Sequence, residues 1–386
     1  METPGNNLDS SVENRLEESV MKRARLLVEK YSLDKPNENV TSALDLVTVL
    51  RGEQDFDEIK RLIEGGGFDG VNICLDQIPN DEELEKVKSK LEEHNIKITS
   101  FHGSLDHFFV GFGEKPDPAI IVRDFEMAKQ LDPGQDIPIN YDLVSADMRI
   151  LGLFQSGETS SVIEETQEKT LNRLGLGSDE ELIDRTIEFV GKSKPKDSKR
   201  VVVFETRQTA LARSPKITDE NLKRIVDKAG EFFGDNEWGV TIDLGHSVAN
   251  LPDEWSVNNA VIANEEARKI SDLLEKYEKY IRMIHVCGDS MSHSVASRLL
   301  AKRNDVDLDV VKKLGKHGVI DNKIILDLLA KFRSVKTGKF VEVSEIVPQH
   351  FMKRYFGDLL KFDEKKSLEN YKEQVELQAK MLGYGR

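Results

Sequence analysis

The sequence predicts an α/β protein, a (β/α)8 barrel with an N-terminal helical extension and long loops over the carboxyl ends of its strands. Three observations carry that prediction. From about residue 45 onward, short apolar runs alternate with longer segments of helical period. The runs are continuously apolar, as parallel strands covered on both faces are. They also number eight: "LDLVTVL", "DGVNICL", "IKITSFH", "YDLVSA", "VVVFE", "GVTID", "RMIHV" and "KFVEV". An open doubly wound sheet uses the same alternation and stands as the alternative architecture.

Residues 1–40 read as a polar lead followed by an amphipathic helix around Val12 to Val28, closing the barrel bottom, and residues 41–386 as the barrel. "DEELEKVKSKLEEHN" sets Leu84, Val87 and Leu91 at helical spacing with acidic residues in its first turn. "MRILGLFQSGETSSVIEETQEKTLNRLGLGSDEEL" is an extended connection after the fourth strand, and "SKPKDSKR" a basic, solvated turn before the fifth. "DENLKRIVDKAGEFFG" opens at Asp219 and closes before Gly234, while "NEEARKISDLLEKYEKY" takes Asn264 as its N-cap. The segment from Gly288 to Lys316 follows the seventh strand and is expected over the barrel mouth.

Composition narrows the function. Hydrophobic residues make up 38% and charged residues 32%, a globular balance, and no apolar run reaches the roughly 18–20 residues of a membrane span. The opening "METPGNNLDSSVEN" lacks the basic and apolar regions of a secretory signal. Cys74 and Cys287 form no metal-binding spacing or disulfide framework, so the expected compartment is cytoplasmic. A net charge of −15 argues against nucleic acid as a partner. A small molecule is the expected partner, and assembly into a homo-oligomer is compatible with the sequence.

Four strand-like runs end in a polar residue: Glu205, Asp243, His285 and Glu342. Their separations of 38, 42 and 57 residues each accommodate one βα unit plus a loop. In a barrel, carboxyl ends of successive strands converge on one face. Three carboxylates and an imidazole gathered there repel one another and are costly to desolvate, and one divalent cation resolves both problems. Oxygen-rich ligation favours Mn²⁺ or Mg²⁺, with Co²⁺ and Zn²⁺ as lesser candidates.

The motifs "FETR", "TIDLGH", "IHV" with "GDS", "HGVID" and "FVEV" resemble those of the xylose isomerase-like TIM-barrel superfamily, over about residues 45 to 350. That superfamily includes sugar isomerases, ketose 3-epimerases, inosose dehydratases and endonuclease IV-type AP endonucleases. The resemblance implies that Glu205, Asp243, His285 and Glu342 hold one divalent ion and that Glu205 and Glu342 exchange protons with the substrate carbon. It also implies that His246, in the D-x-x-H stretch "DLGH", touches substrate or a second metal. "HGVID" matches a turn before the last helix, which leaves His317 lining the mouth at most.

His102, in "SFHGSLDH", stands where the endonuclease branch has a zinc-binding histidine, but "LVSADM" lacks that branch's next histidine and "DVVKKLGKHGVID" lacks its D-x-H pair. His102 is therefore expected to hydrogen-bond substrate, with a packing role as the alternative, and His107 reads as a loop residue. Arg207, two residues beyond Glu205, points to the same side if the strand continues. The expected function is a metal-dependent isomerase or epimerase of a sugar, polyol or related hydroxycarbonyl. The alternatives are an endonuclease IV-like phosphodiesterase on abasic DNA and a non-catalytic metal-binding barrel.

Overall fold

Side chains alternate along a strand, so a strand covered on both faces needs apolar groups outward, against helices, and a filled interior inward. The computed structural model describes residues 38–46, 56–104, 117–143, 145–146, 178–206, 212–213, 216–249, 257–287, 323–345 and 364–384, with residue 169 and part of a helix between 22 and 33. Eight parallel strands close into a barrel in chain order: β1 (Val40–Asp45), β2 (Gly70–Cys74), β3 (Ile98–His102), β4 (Ile139–Asp142), β5 (Val202–Thr206), β6 (Trp238–Asp243), β7 (Ile281–Cys287) and β8 (Phe340–Glu345). β8 pairs back onto β1 from Val40↔Phe340 to Leu44↔Ser344, which removes the open-sheet alternative. β1 lies earlier than "LDLVTVL" suggested, and residues 47–50 of that run fall outside the described residues. "YDLVSA" splits: β4 ends at Asp142, and Ser145–Ala146 pairs antiparallel with Ala212–Arg213 in a small ribbon.

The helices between and after the strands are α1 (Phe56–Gly66), α2 (Asp81–Glu93), α3 (Pro118–Leu131), α4 (Asp179–Ser193), α5 (Asp219–Phe232), α6 (Val257–Lys276), α7 (Lys323–Val335) and α8 (Glu364–Met381). Their starts follow local chemistry. Asn80 caps α2 by accepting from Glu83 N, Asp117 caps α3 ahead of Pro118, and Ser178 forms a capping box with Glu181 at α4. α5 opens at Asp219 as expected, with Thr218 as its cap. α6 starts at Val257, so Asn264 lies inside it; the preceding "VNNAVIA" continues the helix. Arg25 Nε donates to Glu373 Oε1 of α8 at 2.8 Å, and Leu33 N–H donates to Met381 O at 2.8 Å.

The basic turn before β5 is not wholly solvated. The Arg200 side chain is buried, donating to Asp132 Oδ2 at 2.7 Å, Asp132 O at 2.8 Å and Ala128 O at 3.0 Å, with its guanidinium 5.2 Å from the Phe101 ring centre. A planar cation with several donors can satisfy the end of α3 in this way.

Two apolar clusters record the two faces of the sheet. Leu44, Phe101, Tyr141, Phe204, Ile242 and Ile284 point outward into the core beneath the helices. Ala43, Val203, Met283, Val341 and Val343 form a separate cluster inside the barrel. Two residues on along the same face stand Asp45, Glu205, His285 and Glu345, at the carboxyl end.

Glu342 has the opposite parity and points outward. Arg333 of α7 holds it bidentately, Nε to Oε1 at 2.7 Å and Nη2 to Oε2 at 2.5 Å, and Tyr384 Oη also donates to Oε2. Arg333 Nη1 reaches Leu382 O at 3.0 Å, so this buried pair ties β8, α7 and the chain beyond α8 together. Glu342→Ala leaves the Arg333 charge buried without its carboxylate, and the expected cost is about 3–5 kcal/mol. Chemical denaturation should show a lowered midpoint with an unchanged slope, whereas wild-type stability would remove the brace assigned here.

Candidate metal centre at the barrel mouth

Glu205 of β5, Asp243 of β6, His285 of β7 and Glu345 of β8 each offer one ligand atom to a group in which all lie within 4.8 Å of one another, and all four residues are buried. Asp243 pairs in register with His285, so the strands bring these two side by side. His285 Nδ1 lies 3.2 Å from Glu205 Oε1 and 2.8 Å from Glu345 Oε1. These approaches give charge attraction but no hydrogen bond: Nδ1 and Glu205 Oε1 are both buried without a hydrogen-bond partner among the described residues. The other ring nitrogen, Nε2, faces Met283 Sδ at 3.2 Å, which leaves Nδ1 as the ligand atom. Bonds of about 2.0–2.6 Å to one central ion span such a group. The donor set fits a divalent cation. With three carboxylates, a neutral imidazole and an ion of charge +2, the centre would retain one negative charge.

Neighbouring polar groups hold the carboxylates in place. Asn140 Nδ2 donates to Glu205 Oε2, and Thr241 Oγ1 donates to Asn140 Oδ1 at 2.7 Å. On the other wall Asn72 Nδ2 donates to Asp45 Oδ1 at 2.8 Å, and Ser100 Oγ donates to Asn72 Oδ1 at 2.6 Å. A second group, His102, Asp142 and Glu205, also has donor atoms within 4.8 Å of one another and shares Glu205 with the first. His102 Nε2 lies 3.2 Å from Asp142 Oδ1 and Nδ1 lies 3.0 Å from Gly103 O. With an acceptor at each nitrogen, the ring is suited to carrying both protons. Gly103 leaves no space beside it, since a Cβ there would fall 2.1 Å from Tyr141 Cε1.

Burial dominates the titration of the mouth. It pushes the Glu205 carboxyl up to about 7, a rise that His285 opposes and Asp142 reinforces. Asp45 is also pushed up to about 7, by burial first and then by Glu345. Burial pulls the His285 imidazole down, but Glu205 and Glu345 outweigh it and hold the ring well above the ordinary histidine range. His102 is likewise lowered by burial and raised further by Asp142, to a net position well above that range.

The strands thus bring together three of the four expected ligands, Glu205, Asp243 and His285, and supply Glu345 where Glu342 was expected. "FVEVSE" places glutamates three residues apart, and only the later one shares the inward parity of Val341 and Val343. The same parity would have found Asp45 and Asp142, which the sequence reading missed. His102 does line the mouth. His246 lies in the short helix Leu244–Ala249, but its side chain is outside the described residues, as are Arg207, His107 and His317.

No family model and no curated protein sequence matches the chain. Among solved structures it is similar to a 3-keto-D-glucoside 4-epimerase from E. coli, at 12% identity and TM-score 0.42, over 83% of this chain and 98% of that one. A xylose isomerase domain protein from Alicyclobacillus acidocaldarius gives 11% identity and TM-score 0.47, over 90% and 99%. A D-tagatose 3-epimerase-like protein gives 13% identity and TM-score 0.45, over 85% and 97%. Likeness at this level is one of outline, and the chain's own strand pairing establishes its architecture. The chain is a (β/α)8 barrel, similar in outline to the xylose isomerase-like barrels that its sequence motifs resemble.

Proposed function

We propose that the protein is a divalent-cation-dependent isomerase or epimerase of a sugar, polyol or related hydroxycarbonyl. The observation that carries this reading is the convergence of Glu205, Asp243, His285 and Glu345 on one point at the barrel mouth. Mn²⁺ or Mg²⁺ is favoured by three carboxylates against one imidazole, ahead of Co²⁺ or Zn²⁺. When bound, such an ion polarises adjacent hydroxyl and carbonyl oxygens as a Lewis acid.

The chain's own residues account for the proton transfer. Asn140 fixes Glu205 through Oε2, which leaves Oε1 on the His285 side to take a proton from a substrate carbon. Glu345, rather than Glu342, is its partner in returning a proton. His102, held by Asp142 and Gly103, presents positive charge to a substrate oxygen that gains negative charge. Arg207 and His246 are proposed as further substrate contacts, on sequence grounds. Among the described residues no helix is long and apolar enough to cross a membrane.

A second reading has one observation in its favour. The His102, Asp142 and Glu205 group could hold a second cation beside the first, which would supply the paired-cation chemistry suited to phosphodiester hydrolysis. Metal analysis of the purified protein separates the two. One tightly held ion per chain is expected; two or three would favour hydrolysis.

Ligand identity is tested by substitution. His285→Ala and Glu345→Gln should each abolish tight Mn²⁺ binding in a folded protein, while Glu342→Gln should retain it. Loss of Mn²⁺ in Glu342→Gln but not in Glu345→Gln would reverse the assignment.

The pH dependence of cation binding follows from the protons that must leave. Without a cation, Glu205 holds a proton up to about pH 7, and His285 holds its own well above the ordinary histidine range. Binding displaces both, so apparent Mn²⁺ affinity should rise with pH, by about tenfold per pH unit for each proton released, with the Glu205 contribution levelling off above about pH 7. Calorimetry in buffers of different ionisation enthalpy counts those protons. A pH-independent affinity would contradict ligation by these two groups.

Proton transfer is tested in heavy water. A productive hydroxycarbonyl should take up deuterium in the presence of the Mn²⁺-loaded protein, and Glu205→Gln at matched occupancy should suppress the exchange by about 10²–10⁴-fold. Turnover without exchange would indicate a hydride shift. Neither exchange nor turnover across sugars, polyols and keto acids would leave a non-catalytic barrel.

A further inference from the structure

The barrel is open at its other end too. A cavity of about 270 Å³ lies at the amino ends of the strands, opposite the candidate cation site and just below the roughly 300–1,000 Å³ usual for ligand pockets. Val201, ahead of β5, and Val341 of β8 continue the inner apolar cluster down to it, and Pro138 and Phe340 add to its apolar wall. Arg282 of β7 and Lys339, just before β8, supply its charge. Among the described residues no carboxylate lines it, in a chain whose net charge is −15.

The backbone places Arg282 there. β6 and β7 slip register between Val240 and Thr241, and the Arg282 stem lies across Gly239, where an added Cβ would fall 2.2 Å from Arg282 Cγ. The missing side chain at 239 therefore opens the groove along which a half-buried arginine reaches the cavity. Arg282 Nη2 donates to Asn236 Oδ1 at 3.1 Å, from a turn in which Asn236 has a left-handed φ of 68°. A guanidinium has five N–H donors, and that bond uses one of them. The acids of the neighbouring turns are engaged elsewhere: Glu237 lies 3.5 Å from Lys194, and Glu278 lies 3.4 Å from Lys336 and accepts from Thr337 N–H. Lys339 is exposed and has no ion-pair partner among the described residues. Two cations that share a cavity without a carboxylate repel each other, and a bound anion removes that repulsion.

We propose that this amino-terminal cavity binds a small organic oxyanion, a carboxylate or phosphate group carried on a compact apolar body. Arg282 and Lys339 take the charged group, and Pro138, Val201 and Phe340 take the body. The inner cluster of Ala43, Val203, Met283 and Val343 separates this site from the mouth, so it does not rest on what the mouth binds.

The test titrates the full chain calorimetrically with benzoate and phenyl phosphate, with benzyl alcohol as the neutral counterpart and formate as the bare charged group. At least one of the two aromatic anions should bind about tenfold more tightly than benzyl alcohol or formate, and the tighter of them identifies the charged group. Arg282→Gln should weaken that binding by about tenfold and Lys339→Gln by about threefold, while Lys279→Gln, outside the cavity lining, leaves it unchanged. Lys339 is exposed, so its substitution tests the site even if Arg282→Gln disturbs the Asn236 turn. Added Mn²⁺ should not alter benzoate affinity. Benzyl alcohol or formate binding as tightly as the aromatic anions overturns the proposal, as does anion binding that survives both substitutions. Benzoate binding that requires Mn²⁺ also overturns it, by placing the anion at the mouth. A chain that binds neither aromatic anion has no such site.

Discussion

A carboxylate buried at the mouth of a closed barrel has no solvent to spread its charge into, so its neighbours must supply the compensation. Glu205, Asp243 and Glu345 share this condition, with Asp45 and Asp142 close by. The mouth can be understood as a set of answers to it. His285 sits between two of the carboxylates, His102 pairs with Asp142, and asparagines donate to Glu205 and Asp45. Even so, burial holds the Glu205 and Asp45 carboxyls well above the ordinary carboxylate range, so the side chains offset only part of its cost. The divalent ion proposed for this site would supply what the side chains do not.

Glu342 shows the other solution to the same problem. On the outer face of β8 its charge is answered entirely by protein, through the guanidinium of Arg333 and the hydroxyl of Tyr384. Two glutamates of one strand thus differ in kind: one is closed by fixed partners, and the other faces groups that leave room for a cation. Only the parity of the strand decides which is which.

That parity also explains what the sequence made legible. The number and order of strands were readable because continuous apolar runs mark strands buried on both faces, and six of the eight runs overlap their strands closely. β1 was displaced because its inner face carries Thr41, Ala43 and Asp45, so apolar content understates it. At the site, Glu205, Asp243 and His285 were found because each ends or nearly ends a run. Glu345 was missed because Ser344 interrupts the run one residue earlier, and the end of apolar character was taken for the end of the strand. The bonds that hold Glu205 in place were out of reach, since Asn140 and Thr241 come from strands separated by β5 and meet only when the barrel closes.

The brace around Glu342 carries a consequence for synthesis. Arg333 precedes Glu342 in the chain, but Tyr384 follows it by 42 residues, and Leu33 depends on Met381 in the same way. A nascent chain that has emerged only as far as β8 therefore has every barrel strand, and the backbone partners that pair β1 with β8, and yet lacks two of the groups that brace the outer face of β8. Until residue 384 emerges, the buried Glu342–Arg333 pair is without the Tyr384 hydroxyl and the Leu382 carbonyl that complete it.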